Sequence, residues 1–109
     1  MERMGLVLPL KAESVAEYKR LHRAVWPSVL KLIADCHIRN YSIFLKEPEN
    51  LLFAYFEYHG ADFRAEVARM AESPEMRRWW DLCEPMQDPL PTRKPGEWWA
   101  RMDQVFFTA

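Results

Sequence analysis

The sequence predicts an α+β fold in the order β-α-β-β-α-β, the ferredoxin-like arrangement with both helical regions on one face of a four-stranded antiparallel sheet. Two observations carry this prediction. Apolar residues alternate with period two in strand-length stretches, and they recur every three or four residues in the stretches between them. With 109 residues the chain can bury one hydrophobic core but not two. We therefore expect residues 1–109 to form a single domain.

The N-terminal part predicts one strand and then a helical region. Residues 4–10 alternate between apolar and other side chains, and Pro9 fits a strand end or an edge. Ser14 and Glu17 have the spacing of a capping box, which predicts that a helix begins there. Pro27 suits the first position of a continuing helix. The apolar face of this region comprises Tyr18, Leu21, His22, Val25 and Trp26.

The remaining elements follow from turn and helix signals. Residues 41–45 and 51–58 are β-rich and flank five polar residues, which predicts an antiparallel hairpin. A second helical region covers residues 62–84 and is interrupted at Ser73, an N-cap followed by proline. Several prolines then exclude a regular helix before a last strand over residues 98–107. These prolines are Pro85, Pro89, Pro91 and Pro95.

The strand over residues 51–58 is apolar on both faces, although the helices of this fold cover only one of them. An exposed aromatic sheet of that size would aggregate, and two-fold dimers are the commonest small oligomers. We therefore expect a homodimer in which the two sheets form a dimeric α+β barrel.

Charge and cysteine content exclude several classes of function. Fifteen basic and sixteen acidic residues give a net charge of −1 without a basic block, so nucleic acid is not an expected partner. The N-terminal apolar run of about six residues is too short for a signal or membrane segment, which favours a cytoplasmic protein without a membrane partner. Cys36 and Cys83 lack the CxxC spacing of a zinc site, so we expect packed free thiols and no metal.

Tyr18 and His22 are the first candidates for chemistry. They lie one helical turn apart on an apolar face, so both side chains can enter one pocket. Histidine titrates near neutral pH and could exchange a proton with a bound hydroxyl or ring oxygen, with the tyrosine hydroxyl beside it as a donor. The alternative is a core histidine whose hydrogen bond is satisfied by a backbone carbonyl.

Three further aromatic residues are secondary candidates. Trp79 and Trp80 are neighbours in the last helical segment, so one indole can enter the core while the other turns toward a cleft. Tyr41 opens the second strand and could project between the sheet and the helices. Packing alone would also explain all three. Together with Tyr18 and His22 they would form an aromatic-rich pocket.

The assembled pattern resembles the L-rhamnose mutarotase family. The matching segments are Tyr18-x-x-x-His22-x-x-x-Trp26-Pro27, Asn40-Tyr41-Ser42-Ile43, Asn50-Leu51-Leu52-Phe53, Arg78-Trp79-Trp80 and Val105-Phe106. The resemblance implies a dimeric α+β barrel that interconverts the α and β anomers of a free monosaccharide without a cofactor. It also implies that His22 is the proton donor, and that Tyr18, Tyr41, Trp79 and Trp80 bind the substrate.

The chain also departs from the family pattern. Arg23-Ala24-Val25 and Ser28 differ from the residues that are common there, and the proline-rich loop is longer and ends in Trp98 and Trp99. Strand-like spacing predicts opposite faces for these two indoles, in the core or at the dimer contact. The preferred sugar is therefore L-rhamnose or a related 6-deoxy or L-configured aldose.

Two other functions and one catalytic role stay open at this point. The same barrel could carry a cofactor-independent monooxygenase, since one fold hosts unrelated activities, or a non-catalytic sugar-binding dimer. The group that exchanges the second proton with the sugar could be Tyr18, a water molecule, Glu57 or Asp103.

Overall fold

The computed structural model describes residues 1–109 and has the predicted α+β fold. Its antiparallel sheet has the order β2-β3-β1-β4, with β1 and β3 in the centre. The strands are β1 (Glu2–Pro9), β2 (Ile38–Lys46), β3 (Leu51–Tyr58) and β4 (Ala100–Met102). The helices are α1 (Val15–His22), α2 (Pro27–Asp35), α3 (Phe63–Met70) and α4 (Pro74–Cys83). No helix has the length and apolar character needed to cross a membrane.

The core lies between the helices and one face of the sheet. Along β3 burial alternates residue by residue, and the even-numbered side chains are the buried ones. The register places Leu52 opposite Leu8 and Phe56 opposite Met4, so the even positions of β1 share that face. The period-two pattern of both strands is confirmed. The cluster that joins this face to the helices contains Leu10, Tyr18, Val29, Cys36, Leu52, Met70, Met76, Trp79 and Cys83.

The opposite face of the sheet carries aromatic side chains beside charged ones such as Arg3 and Glu57, and no helix covers it. Phe44 lies directly opposite Phe53 and is 67% exposed. Beyond β4 the chain pairs with no strand, and its side chains at Val105 and Phe106 are 95% and 78% exposed. Phe44, Val105 and Phe106 are therefore large apolar side chains that the chain leaves outside its core.

The predicted helix starts near Ser14, Pro27, Asp62 and Ser73 agree with the structure, but of the two predicted side-chain caps only that of Ser73 forms. Asp62 Oδ1 accepts from the backbone N–H of Ala65 at 3.1 Å, and Ser73 Oγ accepts from Met76 at 3.3 Å. The capping box at Ser14 is wrong. A 3₁₀ turn over Ala12–Ser14 holds Ser14 in a helical backbone conformation, whereas a capping side chain needs extended backbone. Glu17 pairs with Arg20 instead of reaching back.

The last strand is much shorter than residues 98–107. β4 contains only three residues, whose pairing with β1 ends where Met102 meets Gly5. Trp98 and Trp99 precede the strand, and both side chains line one cavity on the helical side of the sheet. Their predicted placement on opposite faces is therefore wrong, because strand alternation does not extend to irregular backbone.

Candidate active site

Tyr18 and His22 stack on each other at the C-terminal end of α1. Their ring centroids lie 4.0 Å apart with an interplanar angle of 21°. His22 Nδ1 lies 2.8 Å from the backbone carbonyl oxygen of Tyr18. Because a carbonyl oxygen only accepts, Nδ1 must carry the hydrogen. In the neutral ring the lone pair is therefore on Nε2.

His22 Nε2 is the ring nitrogen available for chemistry. It has no hydrogen-bond partner in the protein, and no buried side-chain nitrogen or oxygen lacks a partner, so Nε2 reaches open space. Burial lowers the pKa of His22, against the opposing effect of the bond to the Tyr18 carbonyl. The resting imidazole is therefore neutral at neutral pH and can accept a proton.

The helix α4 brings two indoles to the histidine. The Trp79 ring meets His22 edge-on at 5.2 Å between centroids, and its other neighbour, Trp26, lies at the same distance. Trp79 is buried and Trp80 half-buried. No residue of the protein accepts a hydrogen bond from either indole N–H, and neither nitrogen is a buried unpaired atom, so both donors are accessible.

Tyr41 reaches the same side of the sheet through a β-bulge in β2. The register passes from Arg39 opposite Glu57 to Ser42 opposite Tyr55, which leaves two residues of β2 against Phe56 alone. The extra residue is Asn40, whose φ of 52° is a left-handed conformation that asparagine tolerates. Tyr41 consequently packs on Phe56, with 5.2 Å between ring centroids.

Both tyrosines keep their protons at neutral pH. Burial raises the pKa of Tyr18, and the neighbouring Cys83 adds to the effect. Tyr41 as a whole residue is 38% exposed, yet desolvation of its hydroxyl raises the pKa to about 12. Both phenols can therefore donate hydrogen bonds to a neutral polar ligand.

One cavity of about 1000 Å³ joins these groups. It lies between the helices and the sheet and is lined mainly by apolar and aromatic side chains. The five candidate residues share it: Tyr18, His22, Tyr41, Trp79 and Trp80. Aromatic faces can pack on the C–H face of a sugar, while hydroxyl and indole donors can bind its oxygens.

The cavity lining removes two of the residues considered for the second proton transfer and adds three others. Glu57 lies on the outer face, where it binds Asn40 and Tyr55, and Asp103 is exposed beyond β4, so neither lines the cavity. Gln87 and the pair Trp98 and Trp99 do line it. Gln87 was not found from the sequence, because a lone glutamine in a proline-rich loop carries no motif.

No cluster of three or more His, Cys, Asp or Glu side chains is placed to hold a metal ion. The thiols of Cys36 and Cys83 are both buried and free. Burial raises the pKa of Cys83 to about 12, so this cavity-lining thiol is not a nucleophile at neutral pH.

A ferredoxin-like fold with an open histidine nitrogen, two neutral phenols and accessible indoles has the groups that a small acid–base enzyme would use. The family model described as L-rhamnose mutarotase matches residues 3–108. The chain thus belongs to the L-rhamnose mutarotase family.

Individual relatives agree with this assignment along the full chain. An L-rhamnose mutarotase of Listeria monocytogenes is 33% identical over 109 residues and covers 100% of both chains. One of Mesorhizobium japonicum is 33% identical, over 88% of this chain and 92% of the relative. A crystal structure of L-rhamnose mutarotase from Formosa agariphila superimposes with a TM-score of 0.78 at 26% identity, with complete coverage of both chains.

Proposed function

We propose that the protein interconverts the α and β anomers of L-rhamnose or of a related 6-deoxy or L-configured aldose. The observation that carries the proposal is the open Nε2 of His22 in a cavity shared with Tyr18, Tyr41 and the two adjacent indoles. Membership of the family favours this reading over an oxygenase or a non-catalytic sugar-binding protein.

The reaction needs two proton movements on one sugar. Neutral His22 accepts the proton of the anomeric hydroxyl at Nε2 while the bond between the anomeric carbon and the ring oxygen breaks. The resulting imidazolium gives a proton to the ring oxygen, so His22 is the proton donor in the second half of ring opening. Closure on the other face of the aldehyde reverses these steps and yields the other anomer.

The aromatic residues bind and orient the sugar in this proposal. The Tyr18 hydroxyl donates to the ring oxygen as negative charge develops on it, and Tyr41 donates to a hydroxyl group. Trp79 and Trp80 pack on apolar C–H faces and offer their indole N–H groups. A single positioned acid–base group typically contributes a 10²- to 10⁴-fold rate increase.

Anomer exchange measured by saturation-transfer NMR on equilibrated L-rhamnose tests the activity. Folded protein should increase the exchange rate between the two anomeric signals, and a panel of 6-deoxy and common aldoses should rank the substrates. Folded protein that binds the sugar without accelerating exchange would contradict the proposal and indicate the binding-only alternative. Oxygen consumption with an aromatic substrate would indicate the monooxygenase instead.

The homodimer belongs to the same proposal. The uncovered face of the sheet carries Phe44 and Phe53, and the exposed tail with Val105 and Phe106 emerges from edge strand β4. A second copy of the chain, which presents the same face, would bury these apolar side chains in one closed two-fold interface. The cytoplasmic location also stays a prediction, which fractionation of cells would check.

Paired variants test the dimer in solution. Phe44→Asp places a charge in the proposed interface and should shift the mass measured by light scattering from two chains to one. Leu82→Asp is the control, because Leu82 is an exposed apolar residue on α4, at 42%, away from that face. A wild-type protein with the mass of one chain would contradict the dimer.

A further inference from the structure

Gln87 is a buried polar side chain that connects two walls of the cavity. It is 7% exposed and is the only polar or charged residue in the buried set. Its Oε1 accepts from the indole N–H of Trp98 at 2.8 Å, and its Nε2 lies 3.4 Å from the hydroxyl of Tyr18. Turning a buried amide over would leave both of its hydrogen bonds mispaired at a cost in free energy, so the side chain is held in one orientation.

The backbone holds Gln87 in a defined place. The residue forms an isolated antiparallel bridge with Leu10, just beyond β1. On either side of it, Lys11 donates to the Met86 carbonyl at 2.8 Å and Asp88 donates to the Pro9 carbonyl at 2.9 Å. The amide therefore projects from backbone that is pinned to the central strand of the sheet.

The orientation of the amide follows from the donors available. An indole N–H only donates, so the amide atom that faces Trp98 must be the oxygen. The atom that faces Tyr18 is then the NH₂ group, and the Tyr18 oxygen must accept from it. No group of the protein accepts from the Tyr18 hydroxyl, so its own hydrogen is left for the cavity.

We propose that Gln87, oriented by Trp98, is a positioning residue that directs the Tyr18 hydroxyl hydrogen toward the substrate. It acts through Tyr18 and does not itself take part in proton transfer. The inference rests on the proposed function, in which Tyr18 donates to the ring oxygen. In this arrangement the indole N–H of Trp98 holds the Gln87 amide in one orientation.

Gln87→Glu tests the inference, because it preserves shape and still accepts from Trp98 but presents an oxygen to Tyr18. The tyrosine should then donate to the carboxylate instead of the sugar. The loss of one hydrogen bond to the substrate should lower kcat about tenfold, with a smaller change in KM.

Trp98→Phe removes the indole N–H that holds the amide, so the amide can turn over, and kcat should fall by a similar but smaller factor. Thr92→Glu, which adds a charge at an exposed position of the same loop, should leave the rate unchanged.

A double-mutant cycle with Tyr18→Phe separates positioning from a general structural effect. If Gln87 acts through Tyr18, neither Gln87→Glu nor Trp98→Phe should reduce the exchange rate further in the Tyr18→Phe background. Losses that multiply, or single variants that retain full kcat, would overturn the inference. Gln87→Met, an uncharged replacement, repeats the cycle if the glutamate variant fails to fold. A wild-type protein without anomer exchange would contradict the proposed function and not this arrangement.

Discussion

Replacement of His22 by asparagine separates the two nitrogens of the imidazole. An asparagine amide can still donate to the Tyr18 carbonyl in place of Nδ1, which lies 2.8 Å from that oxygen, but it has no counterpart of Nε2. Loss of the only acid–base group should lower the anomer exchange rate 10²- to 10⁴-fold, which is about 3–5 kcal/mol of activation free energy.

The same substitution also removes aromatic contacts, and their cost can be estimated separately. His22 stacks on Tyr18 at 4.0 Å and meets the edge of Trp79 at 5.2 Å, and each such pair contributes about 0.5–1.5 kcal/mol. We expect a loss of about 1–3 kcal/mol in the free energy of unfolding. Urea denaturation measures this loss and defines conditions in which the variant is fully folded for the rate measurement.

Saturation-transfer NMR on L-rhamnose is the assay, and pH gives a second readout. Since burial lowers the pKa of His22, the wild-type rate should fall only below about pH 6.5, the usual value for histidine, and the variant should lack this limb. His59→Asn is the matched control, because this exposed histidine contacts Glu57 outside the cavity. A folded His22→Asn protein that retains a tenth or more of the rate would refute the assignment of His22.

Three other predictions concern stability. Because the pKa of His22 is lower in the folded protein, the unfolded chain takes up the imidazole proton at a higher pH than the folded one. The contribution of neutral His22 to the free energy of unfolding is therefore complete above about pH 6.5 and is lost as the pH falls through the folded pKa. Urea titrations at several pH values should show this loss in the wild type but not in His22→Asn. Asp62→Ala should cost about 1 kcal/mol because its carboxylate caps α3, whereas Ser14→Ala, which removes no cap bond, should be nearly neutral by the same assay. Gly60→Ala should lower the melting temperature and cost about 1–3 kcal/mol, since an added Cβ would overlap the Tyr58 hydroxyl and the Glu66 carboxylate; an unchanged melting curve would contradict this packing.

Local sequence patterns determined most of the secondary structure. The alternation along residues 51–58 predicted β3 with the bounds that the structure shows, because a strand with one buried face must keep period two. Pro27 and the Ser73-Pro74 pair marked two helix starts for reasons contained in a few neighbouring residues. Ser14 failed as a cap because a preceding 3₁₀ turn, which its spacing to Glu17 does not encode, set its backbone.

The pocket depended on contacts that no local pattern encodes. Tyr18 and His22 were suspected from helical spacing, but their neighbours come from β2, α4 and the loop before β4. The bulge at Asn40 adds a residue to β2 and allows Tyr41 and Ile38 to face the same side. The local sequence contains Asn40, but the bulge arises from the unequal pairing of β2 with β3, which a short segment of sequence does not encode.

The sequence by itself determined the order of strands and helices, the faces they bury and, through the assembled motifs, the family. Only the tertiary structure decided which ring nitrogen of His22 is open, that Trp98 and Trp99 share the cavity, and that Gln87 connects Tyr18 to Trp98. The physical reason is distance along the chain. Residues 18 and 87 are 69 positions apart, and their hydrogen bond exists only because the sheet and the bridge at Leu10 bring both segments together.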